Sequence, residues 1–296
     1  MSDRERAHVI DAATATNSNE PFPFDYFEKR CLAQGDSWFS IGALPPTRTT
    51  RIVAELKLLR SAVIVNCAKP GAVLRRMTDT TTEVQFLRLL RGRFAMPWDA
   101  ILLSGTGNDL IDAIGAPPTA PAAQRLLRTA AERGSGPLRG DDYISEAGWQ
   151  TFAGHIGAVF DQLVAERDSG INRGVPLVWH NYARVMPRPS GAGLGFGPWL
   201  LPAIDLYQVP AADRLLVSDE LIGRLGKLVA DIIAARKAKD PDCNLHVADS
   251  QSAGLDLAAP DSIDESGDWI NEIHPTRNGY RKVAGAYAAV LDPLFA

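Results

Sequence analysis

Five short runs of nearly unbroken apolar residues punctuate the chain. They are Arg30 to Gln34, Ala62 to Ala68 (AVIVNCA), Ala100 to Ser104 (AILLS), Pro176 to Tyr182 (PLVWHNY) and Asn244 to Ala248 (NLHVA). Continuous rather than alternating apolarity is the mark of strands covered on both faces, hence of a parallel sheet. Between these runs the apolar positions recur at helical spacing. Ile52, Leu56 and Leu59 share one face, as do Val84, Leu87 and Leu90. Phe152, Ile156, Val159, Phe160 and Leu163 stripe a long helix, and Leu221, Leu225, Leu228, Ile232 and Ile233 another. For the latter, Ser218 is the expected N-cap and Asp240-Pro241 the stop. A last helix is expected from about Arg277 to Leu291. This alternation predicts one three-layer α/β domain with a five-stranded, mainly parallel sheet and right-handed crossovers.

Two stretches are too long for simple connections, 115–142 and 184–217. The second carries MPRPSGAGLGFGPWLLP, rich in Pro and Gly yet holding Phe196, Trp199, Leu200 and Leu201. Apolar content in a long loop argues against disorder and for function. It leaves the carboxyl end of the fourth strand, where open α/β sheets bind ligands, so residues at about 184–217 are expected as a substrate wall or lid. Residues 1–22 are expected as a loosely held tail, leaving 23–296 as the domain.

Composition narrows the classes. The 296 residues carry a formal net charge of −4, which does not favour a nucleic-acid partner. Three scattered cysteines, Cys31, Cys67 and Cys243, make no disulfide framework and are expected as small buried apolar groups. The polar N-terminus has no signal-peptide core, and no apolar run reaches transmembrane length. The expectation is a soluble cytoplasmic protein, with export that needs no signal peptide left open.

The chemistry sits where the strands end. CLAQGDSWFS places Ser37 after the first strand; Asn66 and Gly71 lie at and just after the end of the second; Asn108-Asp109 follow the third; His180 ends the fourth; His274 follows the fifth. In a doubly wound sheet those ends share one edge. Acyl transfer needs such a set: a serine hydroxyl, a base to take its proton, and donors for the oxyanion. Ser37 is the candidate nucleophile and His274 the base. The Ser37 N–H, the Gly71 N–H and the Asn108 amide are the candidate oxyanion donors. Asp109 is expected to organise the turn that presents Asn108.

Four blocks, Gly35-Asp36-Ser37, Asn66-Cys67-Ala68-Lys69-Pro70-Gly71, Gly105-Thr106-Gly107-Asn108-Asp109 and Ile273-His274-Pro275-Thr276, come in the order found in the SGNH (GDSL-type) hydrolases. The chain resembles that family of serine esterases and lipases over 35–276. The resemblance implies a flavodoxin-like fold and a metal-independent carboxylic ester hydrolase with no cofactor. One position departs: three residues before the histidine the family has aspartate, and this chain has Asn271. A Ser37–His274 pair assisted by Asn271 is the expectation, with Asp268, Glu272 or a backbone carbonyl as alternatives for the third place. The substrate expected is a small-molecule ester with an apolar acyl part; Trp38, His180, Phe196 and Trp199 are candidate contacts. A carbohydrate O-acetyl esterase, a thioesterase and a catalytically silent binding protein on the same fold are the alternatives.

Other motifs fail by count. Gly105-Thr106-Gly107 would need a glycine at Leu110 to bind a dinucleotide, and no phosphate-binding loop is present. The nucleophile elbow of α/β-hydrolases would need glycine where Phe39 stands. No two of the five histidines lie at metal-ligand spacing.

Overall fold

The structure, a computed structural model, describes residues 4–41, 50–79, 81, 84–193 and 195–296. In chain order its elements are β1 (Glu5–Arg6), β2 (His8–Asp11), α1 (Ala12–Ala15), β3 (Lys29–Gly35), α2 (Ile52–Glu55), β4 (Lys57–Leu58) and β5 (Ala62–Asn66). There follow α3 (Val84–Leu90), β6 (Ala100–Ser104), α4 (Gly107–Ile114), α5 (Glu146–Asp168), β7 (Leu177–His180), α6 (Leu201–Leu206), α7 (Arg214–Lys239), β8 (Leu245–Ala248) and α8 (Arg277–Phe295).

The central sheet has the order β2-β5-β3-β6-β7-β8 and is parallel throughout. All five predicted strands are present. The sixth, β2, comes from the segment expected as a loose tail, where residues 8–11 pair with β5. Its sequence, HVID, has only two aliphatic residues. Only Ile10 of it is buried, so it left no apolar run to find. β1 is also drawn in, pairing antiparallel with β4.

The helical stripes hold, with two corrections. The Ile52 stripe breaks after one turn: α2 ends at Glu55, Leu58 is buried in β4, and Leu59 is exposed. Pairing with Glu5 and Arg6 overrides helical spacing there. α7 starts at Arg214 with Asp213 as its N-cap, five residues earlier than expected. Ser218 lies inside it, its hydroxyl donating to the Val185 carbonyl at 2.8 Å. The striped residues of α5 are buried, as are Leu221, Leu225 and Ile233 of α7. All three cysteines are free and buried. Among the described residues no helix is long and apolar enough to cross a membrane.

Strand order decides where a site can form. From β3 the chain runs to β5 on one side, then returns past β3 to β6 and on to β7 on the other. The carboxyl ends of β3 and β6 therefore flank the switch point, the usual crevice of open parallel sheets. Ser37 follows one of these strands and Asn108 the other.

Candidate active site

Gly35 closes the gap between those two strands. A Cβ there would lie 2.7 Å from the Ser104 Cβ, so only glycine lets β3 and β6 meet at their ends. The next residue, Asp36, builds the turn. Its N–H donates to the Ser104 carbonyl at 3.0 Å, and its carboxylate accepts from the Trp38 N–H at 3.0 Å and the Ser104 hydroxyl at 2.8 Å. The Tyr182 hydroxyl donates to the other carboxylate oxygen. Burial pushes the Asp36 carboxyl up to about 6, although these three donors pull the other way. Ser37 stands at the head of this turn.

The base comes from the loop before α8. His274 Nε2 lies 2.9 Å from Ser37 Oγ, and Nδ1 lies 3.0 Å from Asn271 Oδ1. The same Oδ1 accepts from the backbone N–H of His274 at 2.9 Å and of Ile273 at 3.2 Å. Those two backbone donors fix which end of the amide faces the ring. An oxygen there must accept, so Nδ1 carries the proton and Nε2 presents its lone pair to the Ser37 hydroxyl. Burial lowers the His274 pKa to about 3, which keeps the ring neutral.

The alternatives for the third place point elsewhere. Asp268 accepts from Lys282 at 2.6 Å, Asn278 at 2.7 Å and the Asp256 N–H at 2.9 Å. Glu272 accepts from the backbone N–H groups of Trp199, Leu200, Leu201 and Arg188. It clasps the long loop to the histidine segment. Burial raises its pKa against the pull of those donors.

Two further oxyanion candidates, Gly71 on the loop after β5 and Asn108 at the start of α4, are tied to each other. Gly71 has φ +71°, a left-handed conformation that favours glycine. One hydrogen of the Asn108 amide goes to the Ala72 carbonyl at 3.0 Å, and the Asp109 carboxylate accepts from the Leu74 N–H at 2.9 Å. Asp109 thus braces the 71–74 loop against the start of α4. Asn66 ties the end of β5 to the nucleophile turn, donating to the Phe39 carbonyl at 2.8 Å.

Two cavities meet at Ser37. An open cleft of about 490 Å³ is lined by Ser37, Gly71, Asn108 and His274, with Phe196 and Trp199 from the long loop. Trp199 also meets the His274 ring edge-on at 5.1 Å. A second pocket of about 40 Å³ lies on the other side of Ser37 and Asn108 and includes Trp38. Of the four candidate contacts, Trp38, Phe196 and Trp199 therefore line cavities.

His180 does not. It is fully buried behind Trp38, with Nε2 2.9 Å from Ser104 Oγ and Nδ1 3.1 Å from Ser250 Oγ. A polar chain Ser250–His180–Ser104–Asp36–Tyr182 thus runs beneath the nucleophile, and sequence reasoning missed it as a unit. Its trace was the polar residue closing each apolar run: Asp36 just past β3, Ser104 at the end of β6, His180 at the end of β7.

No protein-family model and no curated protein matches the chain. Among solved structures it is similar to one described as a putative SGNH hydrolase from Slackia heliotrinireducens, at 13% identity and TM-score 0.47, covering 89% of this chain and 98% of that one. It is also similar to an extracellular lipase from Streptomyces rimosus, at 17% identity and TM-score 0.46, covering 90% and 99%. A third is the lipase Lip_vut3 from a goat rumen metagenome, at 14% and 0.48, covering 89% and 98%. At such values the chemistry has to be read from this chain's own side chains.

Proposed function

We propose that the chain is a serine ester hydrolase of the SGNH type, cleaving a carboxylic ester through an acyl-enzyme on Ser37. The observation that carries this is the 2.9 Å contact of Ser37 Oγ with a neutral His274 whose acceptor nitrogen is fixed by Asn271. Ser37 Oγ attacks the carbonyl carbon while its proton passes to Nε2. The carbonyl electron pair moves onto oxygen, facing the Ser37 and Gly71 N–H groups and the free hydrogen of the Asn108 amide. The imidazolium then gives its proton to the departing alkoxide. Water, activated by the same ring, releases the acid and restores the serine.

Asparagine in the third place is compatible with this. In a serine protease the exchange of aspartate for asparagine costs about 10⁴ in rate because the ring takes the wrong tautomer. Here the backbone donors hold the amide oxygen toward the ring, so the right tautomer is kept; what is lost is charge on the imidazolium. Asn271 is the one feature that favours a silent binder, and its amide oxygen lies 3.0 Å from Nδ1, where it can orient the ring. The test is intact-protein mass spectrometry after a fluorophosphonate probe. A single adduct on Ser37, absent in Ser37→Ala and His274→Ala, is expected. Absence of an adduct on the folded wild-type protein would overturn the reading.

A further inference from the structure

We infer that the small pocket beside Ser37 holds the acyl chain and the large cleft holds the alcohol, making this an esterase for short acyl groups on bulky, apolar alcohols. The inference rests on the ester-hydrolase reading above and assigns its substrate class. In the tetrahedral intermediate the carbon carries four groups: Ser37 Oγ, the oxyanion, the leaving oxygen and the acyl chain. The oxyanion faces Gly71 and Asn108. The leaving oxygen must lie within reach of His274 Nε2, which hands it the proton as the carbon–oxygen bond breaks. The acyl chain takes the remaining direction, away from both His274 and Gly71.

The two cavities divide along the same line. His274 and Gly71 border the large cleft and are absent from the lining of the small pocket, whereas Ser37, Asn108 and Ile273 border both. The small pocket is walled by Trp38, Leu110, Ile111, Val185, Leu200 and Ile222, from the nucleophile turn, α4, the loop after β7, the residue capping α6, and α7. These walls are set by packing: Leu110 is 1% exposed, Leu200 3% and Ile222 6%. A water-sized group needs about 10–15 Å³ of such space, so a pocket of about 40 Å³ seats roughly three heavy atoms beyond the carbonyl. That volume fits acetyl to butyryl best. The cleft on the His274 side, about 490 Å³, is walled by Ile41, Pro70, Ala192, Phe196 and Trp199, an apolar and aromatic surface suited to a large alcohol. The apolar part of the substrate therefore belongs to the leaving group.

Two isomeric esters, octyl acetate and methyl nonanoate, separate the arrangements, since they share a formula and differ only in which side is long. Titrimetric kcat/KM should favour octyl acetate by at least about 100-fold, the scale on which hydrophobic pockets discriminate size. Ile222→Ala, on α7, and Val185→Ala, on the loop after β7, should each narrow that ratio at least about tenfold by widening the pocket. Fluorophosphonate labelling of Ser37 shows whether each variant is folded, and either one suffices. An equal or reversed preference, or a ratio that neither folded variant moves, overturns the pocket assignment and leaves the esterase. Hydrolysis of neither ester removes the esterase reading and the assignment with it.

Discussion

Two histidines in this molecule look alike and do different things. His274 and His180 are both buried, both are lowered to about 3 by that burial, and each holds Nε2 2.9 Å from a serine hydroxyl. They differ in where the serine's proton goes. Ser104 donates its hydroxyl hydrogen bond to the Asp36 carboxylate, so its oxygen can only accept from His180, whose Nε2 must carry hydrogen. His180 Nδ1 then accepts from Ser250. At the other site the proton is on Nδ1, facing the Asn271 oxygen, and Nε2 is the acceptor. One acceptor placed on the far side of the ring, and one placed on the far side of the serine, decide which pair can do base catalysis. Histidine next to serine is not the active feature; the direction of the hydrogen bond is.

The comparison breaks most sharply by mutation. Ser37→Ala and His274→Ala should each lower kcat/KM for a short acyl ester by about 10⁴ or more. His180→Phe should leave kcat/KM within about tenfold and lower stability by about 1–3 kcal/mol, because the Ser250 hydroxyl loses its acceptor in the core. Steady-state kinetics and urea denaturation measure the two. Equal rate losses at both histidines would erase the distinction.

Asp36→Ala should be the most destabilising change in the buried chain. It leaves the Trp38 N–H and the Ser104 and Tyr182 hydroxyls without their acceptor, at about 1–3 kcal/mol for each group left unpaired. The urea midpoint checks it, and an unchanged midpoint would show that the chain does not hold the turn.

Asn271 sharpens the contrast more gently. Asn271→Ala should lower kcat by about 10²-fold, within the range that general-base positioning contributes. Asn271→Asp keeps an acceptor at Nδ1 and adds a negative charge, which favours the imidazolium. The acid limb of kcat/KM should therefore move to higher pH, from a starting position well below the ordinary histidine value of 6.5. A limb that moves down would contradict the assignment.

The last test is stability against pH. Both histidines have folded pKa values near 3, so between 6.5 and about 3 the unfolded chain binds protons that the folded chain does not. Stability should fall as pH drops through that window. Asp36 acts oppositely: its pKa is raised from 3.8 to about 6, so its contribution is present below 3.8 and lost as pH rises through 6. Glu272, also raised by burial, acts with Asp36, whereas Glu132, held at about 2 by Arg125, adds to the loss. The two histidines have the widest window, and the net is a loss toward acid. His180→Phe should make that slope shallower; an unchanged slope would mean that His180 is not held neutral.

Much of this was legible in the chain. Buried parallel strands must be apolar on both faces, so β3, β5, β6, β7 and β8 announced themselves, and the residues just past them carried Ser37, Gly71, Asn108 and His274 to one edge. The elements that escaped are those whose partners lie far away in sequence. β2 is an edge strand with little apolar content, and residues 57–58 abandon a helical pattern because Glu5 and Arg6 pair with them. Glu272 stood two residues from His274 and looked like a rival for the third place, yet its carboxylate turns to the backbone of residues 199–201.

Sequence alone determined the layered α/β architecture and the kinds of group brought to its active edge, because burial periodicity and strand ends are local properties. Only the tertiary structure decided what each polar group does there. Whether a histidine accepts or donates depends on the next acceptor along, and those acceptors, Asn271 for His274 and Asp36 through Ser104 for His180, are fixed by packing between distant segments. The sizes of the two cavities at Ser37 were decided in the same way, since side chains from distant parts of the chain fill most of one and leave the other wide.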